Sequence, residues 1–190
     1  RRSVALLQKA GMQCIVCTGY KEEKVKEALE GMEKITYCYN PFFDVTNSLA
    51  SLWFAREEMD DDLIIMNADV FFTEEILTAL LKDKRSPVMA IDRSRVQEGD
   101  YFFKTAWNGR IEKYGKGLPI ELRSCEYVGM AKVEKSFLPL FKKRMEEMIR
   151  SQQHSAWWEN VLYSFTDQKE QDIYTVDVDG KFWAEIDYFD

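Results

Sequence analysis

The spacing of apolar residues changes along the chain in a way that predicts alternating strands and helices. Between residues 13 and 92, short apolar runs at 13–18, 35–39, 63–66 and 87–92 predict strands. Segments whose apolar residues recur at helical spacing predict helices over 1–10, 21–29, 47–59 and 73–82. This alternation indicates βαβ units on a mostly parallel sheet, and hence an α/β fold.

The second half of the sequence has a different pattern. Runs at 101–107 and 110–114 flank Asn108-Gly109, which predicts a hairpin with a type I′ turn. Other runs predict a strand over 126–133, helices over about 136–150 and 155–166, and a strand pair over 173–178 and 182–187 whose hairpin turn is Asp179-Gly180.

The stretch from Asp62 to Phe72 is the centre of the predicted sheet. Leu63–Met66 is apolar without alternation, as expected for a strand covered on both faces. Asn67 and Asp69 follow at its carboxyl end, where open α/β sheets bind ligands. A carboxylate there can coordinate Mg²⁺, so we expect Asp69 to be a metal ligand. The alternative is a turn former or helix cap, but Thr73 already supplies a cap for the next helix.

Composition excludes some function classes. A chain of 190 residues suffices for one domain with a sizeable core. Its net charge of −7, without a basic stripe, argues against nucleic acid as a partner. The sequence contains no run of 18 apolar residues, so we expect no membrane span. We expect the four cysteines to be reduced, which favours the cytoplasm; the oligomeric state is left open.

Several motifs together resemble the nucleotidyltransferases that activate sugar phosphates and phosphocholine. They are Thr18-Gly19-Tyr20-Lys21, residues 40–51, Asn67-Ala68-Asp69, Glu126-Tyr127-Val128-Gly129, Trp157-Trp158-Glu159 and Trp183-Ala184-Glu185-Ile186-Asp187. The sequence looks closest to the phosphocholine-cytidylyltransferase-like branch, which includes 2-aminoethylphosphonate cytidylyltransferases. The resemblance implies a Rossmann-like, GT-A-like three-layer α/β/α sandwich with a mixed, mostly parallel sheet, formed by residues 1–190 as one domain.

One family motif is absent. The family has a Gly-rich loop with an Arg and a Lys after its first strand, and this loop wraps the nucleotide triphosphate. The sequence contains no such loop, and the resemblance places it just upstream of Arg1. We therefore expect the sequence to lack an N-terminal segment; the alternative is a non-catalytic nucleotide-binding relative.

The resemblance implies Mg²⁺-dependent transfer of CMP from CTP to a small phosphate or phosphonate acceptor, with release of pyrophosphate. Asp69 and Asp187 would hold the metal, with Glu185 assisting or binding the acceptor. Lys104 and Lys116 match family lysines and are candidate phosphate ligands, although a solvated surface lysine is an equal alternative. Residues assigned to the nucleotide are Asn47, Ser48, Ser51, Asn67 and Ala68. For Asn47 and Ser48, capping of the helix that they begin is the alternative.

The acceptor is expected to carry a cation. An aromatic face attracts ammonium groups and a nearby carboxylate adds a charge partner, so Trp158 and Glu159 are assigned to the acceptor, with Gly129. The alternative for Trp158 is a core residue. Choline and aminoethyl acceptors cannot be separated, because both present a cation and a phosphorus oxyanion. A sugar-1-phosphate nucleotidyltransferase and a glycosyltransferase using Asn67-Ala68-Asp69 as a metal motif are further alternatives.

Overall fold

The computed structural model describes residues 1–186, so the prediction for Asp187 lies outside the described residues. Six α-helices lie at α1 Arg2–Lys9, α2 Glu22–Ala28, α3 Ser48–Phe54, α4 Glu74–Lys82, α5 Leu138–Arg150 and α6 Glu159–Gln168. The strands lie at β1 Cys14–Thr18, β2 Ile35–Tyr39, β3 Leu63–Met66, β4 Val70–Phe72, β5 Val88–Asp92, β6 Phe102–Thr105, β7 Ile111–Gly115, β8 Cys125–Val133, β9 Tyr174–Asp177 and β10 Trp183–Glu185.

The contacts divide the chain into two compact units. Unit 1 consists of Arg1–Asp60 and Leu138–Val161. Unit 2 consists of Asp61–Phe137 and the described residues from Leu162 onward. The division falls within α6, and the expectation of a single domain stays a prediction. Within residues 1–186, every helix is too short or too polar to span a lipid bilayer.

In unit 1, β1 and β2 form a parallel pair joined through α2, which confirms the predicted βαβ unit. Their register runs from Cys14 opposite Ile35 to Thr18 opposite Tyr39. Asn40 follows β2 and is fully buried. Its side-chain amide donates to the hydroxyls of Thr46 at 2.9 Å and Ser51 at 3.1 Å, so it fixes the loop that leads into α3.

In unit 2, β8 is the strand around which the sheet is built. All nine of its residues are buried, and it pairs antiparallel with β3, β5 and β6. Since β9 pairs parallel with β5, the strands β3, β5 and β9 run in one direction and β8 runs in the other. The predicted fold class, α/β with a mixed sheet, is confirmed.

The predicted hairpin at Asp179-Gly180 is wrong. Asp179 and Gly180 both have a positive φ, as a tight turn requires, but the strands that they join pair elsewhere. β9 joins the main sheet beside β5, while β10 pairs antiparallel with β4. We call the two-stranded sheet of β4 and β10 the ribbon. Turn signals report a change of chain direction but not the partner of the strand that follows.

The hairpin of β6 and β7 is confirmed, but its turn type is not I′. Of Asn108 and Gly109, only Gly109 has a positive φ, at 82°. Its N–H donates to the carbonyl of Ala106 at 3.0 Å. The register shifts between Lys104 and Thr105, so the turn is accompanied by a bulge.

Two predicted helix boundaries need correction. The helix predicted from residue 155 begins at Glu159, so Trp157 and Trp158 precede α6 rather than lying in it. The helix predicted over 47–59 ends at Phe54 and is followed by a short 3₁₀ turn. Thr73 occupies the predicted N-cap position of α4, but its hydroxyl makes no capping hydrogen bond.

Candidate active site

The candidate site in unit 2 lies at the carboxyl end of β3. The Asn67 N–H donates to the Gly129 carbonyl at 3.0 Å, which ties the loop after β3 to β8. The Ile186 N–H donates to the Asp69 carbonyl at 3.0 Å, one step beyond the pairing of Glu185 with Val70. Residues from three distant parts of the sequence therefore meet around the segment 67–70.

Gly129 is required at this point for two physical reasons. Its φ of +85° lies in the left-handed region, which strains every residue with a Cβ. A Cβ added there would also lie 2.6 Å from Val70 Cγ2, which is too close. The same point is 3.5 Å from the Asn67 amide nitrogen and 3.6 Å from Glu185 Oε1. The predicted residues Asn67, Gly129 and Glu185 are thus neighbours.

Asp69 carries an exposed carboxylate that accepts no hydrogen bond from any residue in 1–186. Ala68 beside it is also exposed. Mg²⁺ prefers oxygen ligands and takes only one or two carboxylates, keeping water and phosphate oxygens in its other positions. An uncommitted carboxylate fits that chemistry. Residues 1–186 contain no group of three or more His, Cys, Asp or Glu side chains placed to hold a metal.

The two candidate phosphate ligands lie on the β6–β7 hairpin or directly after it, and both have acidic partners. Lys104 Nζ is 3.3 Å from Glu112, and Lys116 Nζ is 2.6 Å from Asp100. All four side chains are substantially exposed, and ion pairs in water are worth little, so a phosphate can compete for either lysine.

The residues assigned to the nucleotide in unit 1 are engaged in internal hydrogen bonds. The Asn47 side chain accepts from the Ser48 N–H at 2.8 Å and occupies the N-cap of α3, as the capping alternative expects. Ser48 Oγ accepts from the Trp158 N–H at 3.0 Å, and Ser51 Oγ accepts from Asn40. These contacts give each side chain a structural role within unit 1.

The two adjacent tryptophans differ in exposure. Trp157 is 41% exposed and Trp158 is 3% exposed, while Glu159 is buried. This burial favours the core alternative for Trp158, and the adjacent exposed ring belongs to Trp157. The assignment of Trp158 and Glu159 to the acceptor stays a prediction.

Sequence reasoning missed a pair of buried carboxyl groups. Asp92 ends β5, lies opposite Glu126 on β8 and is 1% exposed, while Glu126 is 5% exposed. Burial raises the pKa of Glu126 above its ordinary value, against the effect of the Asp100 N–H that donates to it. Burial alone would raise the pKa of Asp92 as well, but donors from Ser94 and Trp183 hold it below its ordinary value. Asp92 ends an apolar run just as Asn67 does, and that signal could have identified it.

Comparisons with known proteins place these features in context. No family model matches this sequence. A stretch of 84 residues, 43% of this chain, is 31% identical to the CMP-5'-(3-aminopropyl)phosphonate synthase of Streptomyces rubellomurinus. The match spans 13% of the length of that curated relative.

Solved structures match almost the whole chain. The CTP:phosphocholine cytidylyltransferase from Streptococcus pneumoniae aligns with a TM-score of 0.73 and 15% identity, over 98% of this chain and 78% of that one. The inositol-1-phosphate CTP transferase from T. maritima aligns with a TM-score of 0.74 and 17% identity, over 97% and 74%. A UDP-glucose pyrophosphorylase aligns with a TM-score of 0.65 and 13% identity, over 92% and 77%. The resemblance predicted from the motifs is confirmed at the level of structure: the chain has the fold of these nucleotidyltransferases.

Proposed function

We propose that this chain forms the core of a nucleotidyltransferase that moves CMP from CTP to a small acceptor carrying a phosphate or phosphonate group. The acceptor oxygen attacks the α-phosphorus, a new P–O bond forms, and the bond to the β-phosphate breaks. Pyrophosphate leaves with the bonding electron pair. Two of the structural neighbours are CTP-using transferases by name, and the curated relative makes a CMP-phosphonate by name.

The observation that carries the proposal is the convergence around residues 67–70 in unit 2. Asn67, Gly129 and Glu185 lie within about one side-chain length of each other, and the exposed Asp69 carboxylate follows directly. A packed structural cluster would satisfy every polar group internally, whereas the Asp69 carboxylate has no donor among residues 1–186. A charged group held in this way on well-packed backbone is available to a ligand.

The chemistry asks the protein mainly for alignment and charge neutralisation. Asp69 and Asp187 would hold Mg²⁺, which would supply positive charge to offset that of the phosphate groups. The hairpin lysines Lys104 and Lys116 would bind phosphate oxygens in place of their surface acidic partners. The bare Gly129 backbone allows Val70, Asn67 and Glu185 to approach β8 closely, which keeps these side chains together.

An acceptor with an amino group fits the proposal best. The curated relative is named for an aminopropylphosphonate product, and the Trp157 ring, which is 41% exposed, is adjacent in sequence to the predicted acceptor residues Trp158 and Glu159. Aromatic faces and carboxylates attract ammonium groups. Phosphocholine and aminoalkylphosphonates therefore rank ahead of sugar phosphates, which carry no cation.

A pyrophosphate-release screen tests the proposal. The full natural protein is incubated with each of the four ribonucleoside triphosphates and with phosphocholine, 2-aminoethylphosphonate, 3-aminopropylphosphonate or glucose 1-phosphate. We expect release that requires Mg²⁺, CTP and one of the amino acceptors together. Release with glucose 1-phosphate alone would favour a sugar nucleotidyltransferase. CTP binding by calorimetry without release in any combination would leave a non-catalytic nucleotide-binding protein and reject the proposal.

A further inference from the structure

The ribbon of β4 and β10 carries Glu185 and begins directly after Asp69. It is too small to be stable by itself. Each strand has three residues, and within residues 1–186 each pairs only with the other. Two-stranded sheets are at best marginally stable in water. Phe71 and Phe182 contact each other edge to face at 5.8 Å, but this contact joins the ribbon to itself. Its position must be set by contacts with the main sheet.

Each strand of the ribbon has an anchor on that sheet. β4 is anchored where Val70 packs against the bare backbone of Gly129 on β8. β10 is anchored by Trp183, whose side chain is 1% exposed. The indole N–H of Trp183 donates to Asp92 Oδ2 at 3.0 Å, at the end of β5.

Arg95 also holds Trp183, the anchor of β10. Its guanidinium lies over the Trp183 ring, 4.4 Å from the centroid, and donates to the Trp183 carbonyl at 3.1 Å. Its Nε is 3.7 Å from Asp92 Oδ2. Asp92 is itself fixed, because its Oδ1 accepts from the Ser94 N–H at 2.8 Å and from the Ser94 hydroxyl at 2.6 Å.

We propose that Asp92 and Arg95 are positioning residues, which hold Trp183 and thereby place the ribbon so that Asp69 and Glu185 face one site. The inference that their task is catalytic rests on the proposed function, whereas the mechanical role does not. Burial acts to raise the pKa of Asp92, but the Ser94 and Trp183 donors and the Arg95 charge together lower it. The acceptor of the Trp183 N–H is therefore an ionised carboxylate, which supports the positioning role. Hydrogen bonds to a charged acceptor are about twice as strong as neutral ones.

The chain contains a matched control. Asp83 and Arg85 form a similar pair in the same unit, with the Arg85 guanidinium over the Tyr174 ring at 5.2 Å and donating to the Thr175 carbonyl at 2.8 Å. This second pair contacts β9, which carries no candidate site residue. Asp83→Asn should therefore weaken unit 2 without loosening the ribbon.

Hydrogen–deuterium exchange measured by mass spectrometry tests the mechanical role. The variants are Trp183→Phe, which keeps a ring but removes the N–H donor, Asp92→Asn, and the milder Arg95→Met on a side chain that is 41% exposed. In each variant we expect peptides covering 69–72 and 182–186 to exchange about tenfold faster, while β5 and β9 keep their rates. Unchanged ribbon exchange, or equal acceleration in Asp83→Asn, would overturn the proposal.

A kinetic measurement tests the catalytic consequence separately. In Asp92→Asn and Arg95→Met, the Mg²⁺ concentration for half-maximal pyrophosphate release should rise about tenfold, and this quantity does not depend on how much protein is folded. Asp83→Asn should leave it unchanged. If the ribbon loosens but the Mg²⁺ requirement stays constant, the positioning role in catalysis is rejected. If the full natural protein shows no transfer at all, the proposed function fails, while the exchange result still decides whether Asp92 and Arg95 hold the ribbon in place.

Discussion

The side chains assigned to the nucleotide in unit 1 and the Asp69 carboxylate in unit 2 have opposite hydrogen-bonding states. In unit 1, the side chains of Asn47, Ser48 and Ser51 each bond to another group of the same unit. In unit 2, the Asp69 carboxylate is exposed and accepts nothing from residues 1–186. The sequence motifs assigned Asn47, Ser48, Ser51 and Asp69 to the site alike, although of these four only the Asp69 side chain makes no hydrogen bond within residues 1–186.

The contrast teaches how to weigh a polar residue near a strand or helix end. A hydroxyl that already accepts a hydrogen bond stabilises the fold whatever else it does. A carboxylate without a donor gains nothing from folding, so its place at a strand tip is explained better by a ligand. We therefore expect substitutions in unit 1 to act mainly on stability and substitution of Asp69 to act mainly on catalysis.

The largest effect is expected for Asp69→Asn. The amide is a poorer Mg²⁺ ligand and carries no charge, so turnover should fall by about 10²-fold or more, with little change in thermal unfolding. Pyrophosphate release by the full natural protein, with CTP and the preferred acceptor, measures it. Asp60→Asn, at an exposed carboxylate outside the site, is the control and should behave as wild type. Near-normal turnover in Asp69→Asn would remove Asp69 from the site.

The second prediction separates the two reasons why position 129 requires glycine, the left-handed φ and the close contact with Val70. Gly129→Ala combines a left-handed φ with a clash against Val70, and we expect it to lower the free energy of unfolding by about 2–4 kcal/mol. Gly11 has nearly the same φ, +86°, with nothing within 4 Å of an added Cβ, so Gly11→Ala should cost only about 1–2 kcal/mol. Denaturant titration of both variants measures the difference. Equal losses would show that β8 and Val70 adjust freely.

A smaller effect is expected for Ser48→Ala in unit 1. Loss of the acceptor for the Trp158 N–H should cost about 1 kcal/mol of stability and leave the KM for CTP unchanged. Ser155→Ala, at an exposed serine nearby, is the control for the loss of a hydroxyl. A rise in the KM for CTP without a loss of stability would place Ser48 at the nucleotide and break the contrast between the two regions.

Much of the fold followed from local patterns. The apolar runs predicted β1, β2, β5 and β8, and Asn108-Gly109 predicted the β6–β7 hairpin, because strand period and turn chemistry are local properties. The pairing of β10 with β4 was missed, since nothing near Asp179-Gly180 records that the next strand pairs with residues far earlier in the chain. The start of α6 was misplaced because Trp157 and Trp158 extend its apolar pattern outside the helix.

The sequence predicted those site residues whose residue type has few purely structural explanations at its position. Asp69 after a buried strand and Gly129 within one are such positions, and the structure brings them together with Asn67 and Glu185. The end of the apolar run at Asp92 was a usable signal, but its pairing with the buried Glu126 depends on cross-strand register, which a single sequence does not contain. The role of Trp183 was hidden for the same reason, since both of its partners come from another part of the chain.

The Glu126 carboxyl group is only partly hydrogen-bonded, unlike either the polar side chains of unit 1 or the Asp69 carboxylate. Its substitution has the smallest expected effect. Its Oε1 accepts from the Asp100 N–H at 3.1 Å, while its buried Oε2 has no hydrogen-bond partner among the described residues. Burial raises its pKa in the folded state against the Asp100 N–H donor and the Arg95 charge, while the charges of Asp92 and Asp100 act in the same direction as burial. A carboxyl whose pKa is higher when folded binds more protons in the native state, so its contribution to stability falls as the pH rises from the unfolded pKa through the folded one.

Glu126→Gln keeps the acceptor for Asp100 and cannot ionise. The variant should therefore gain stability over wild type as the pH rises from about 4 to 7, and denaturant titrations across that range measure the gain. A stability difference that does not change with pH would mean that Glu126 is as easily ionised in the fold as in the unfolded chain, and would class it with the uncommitted carboxylates.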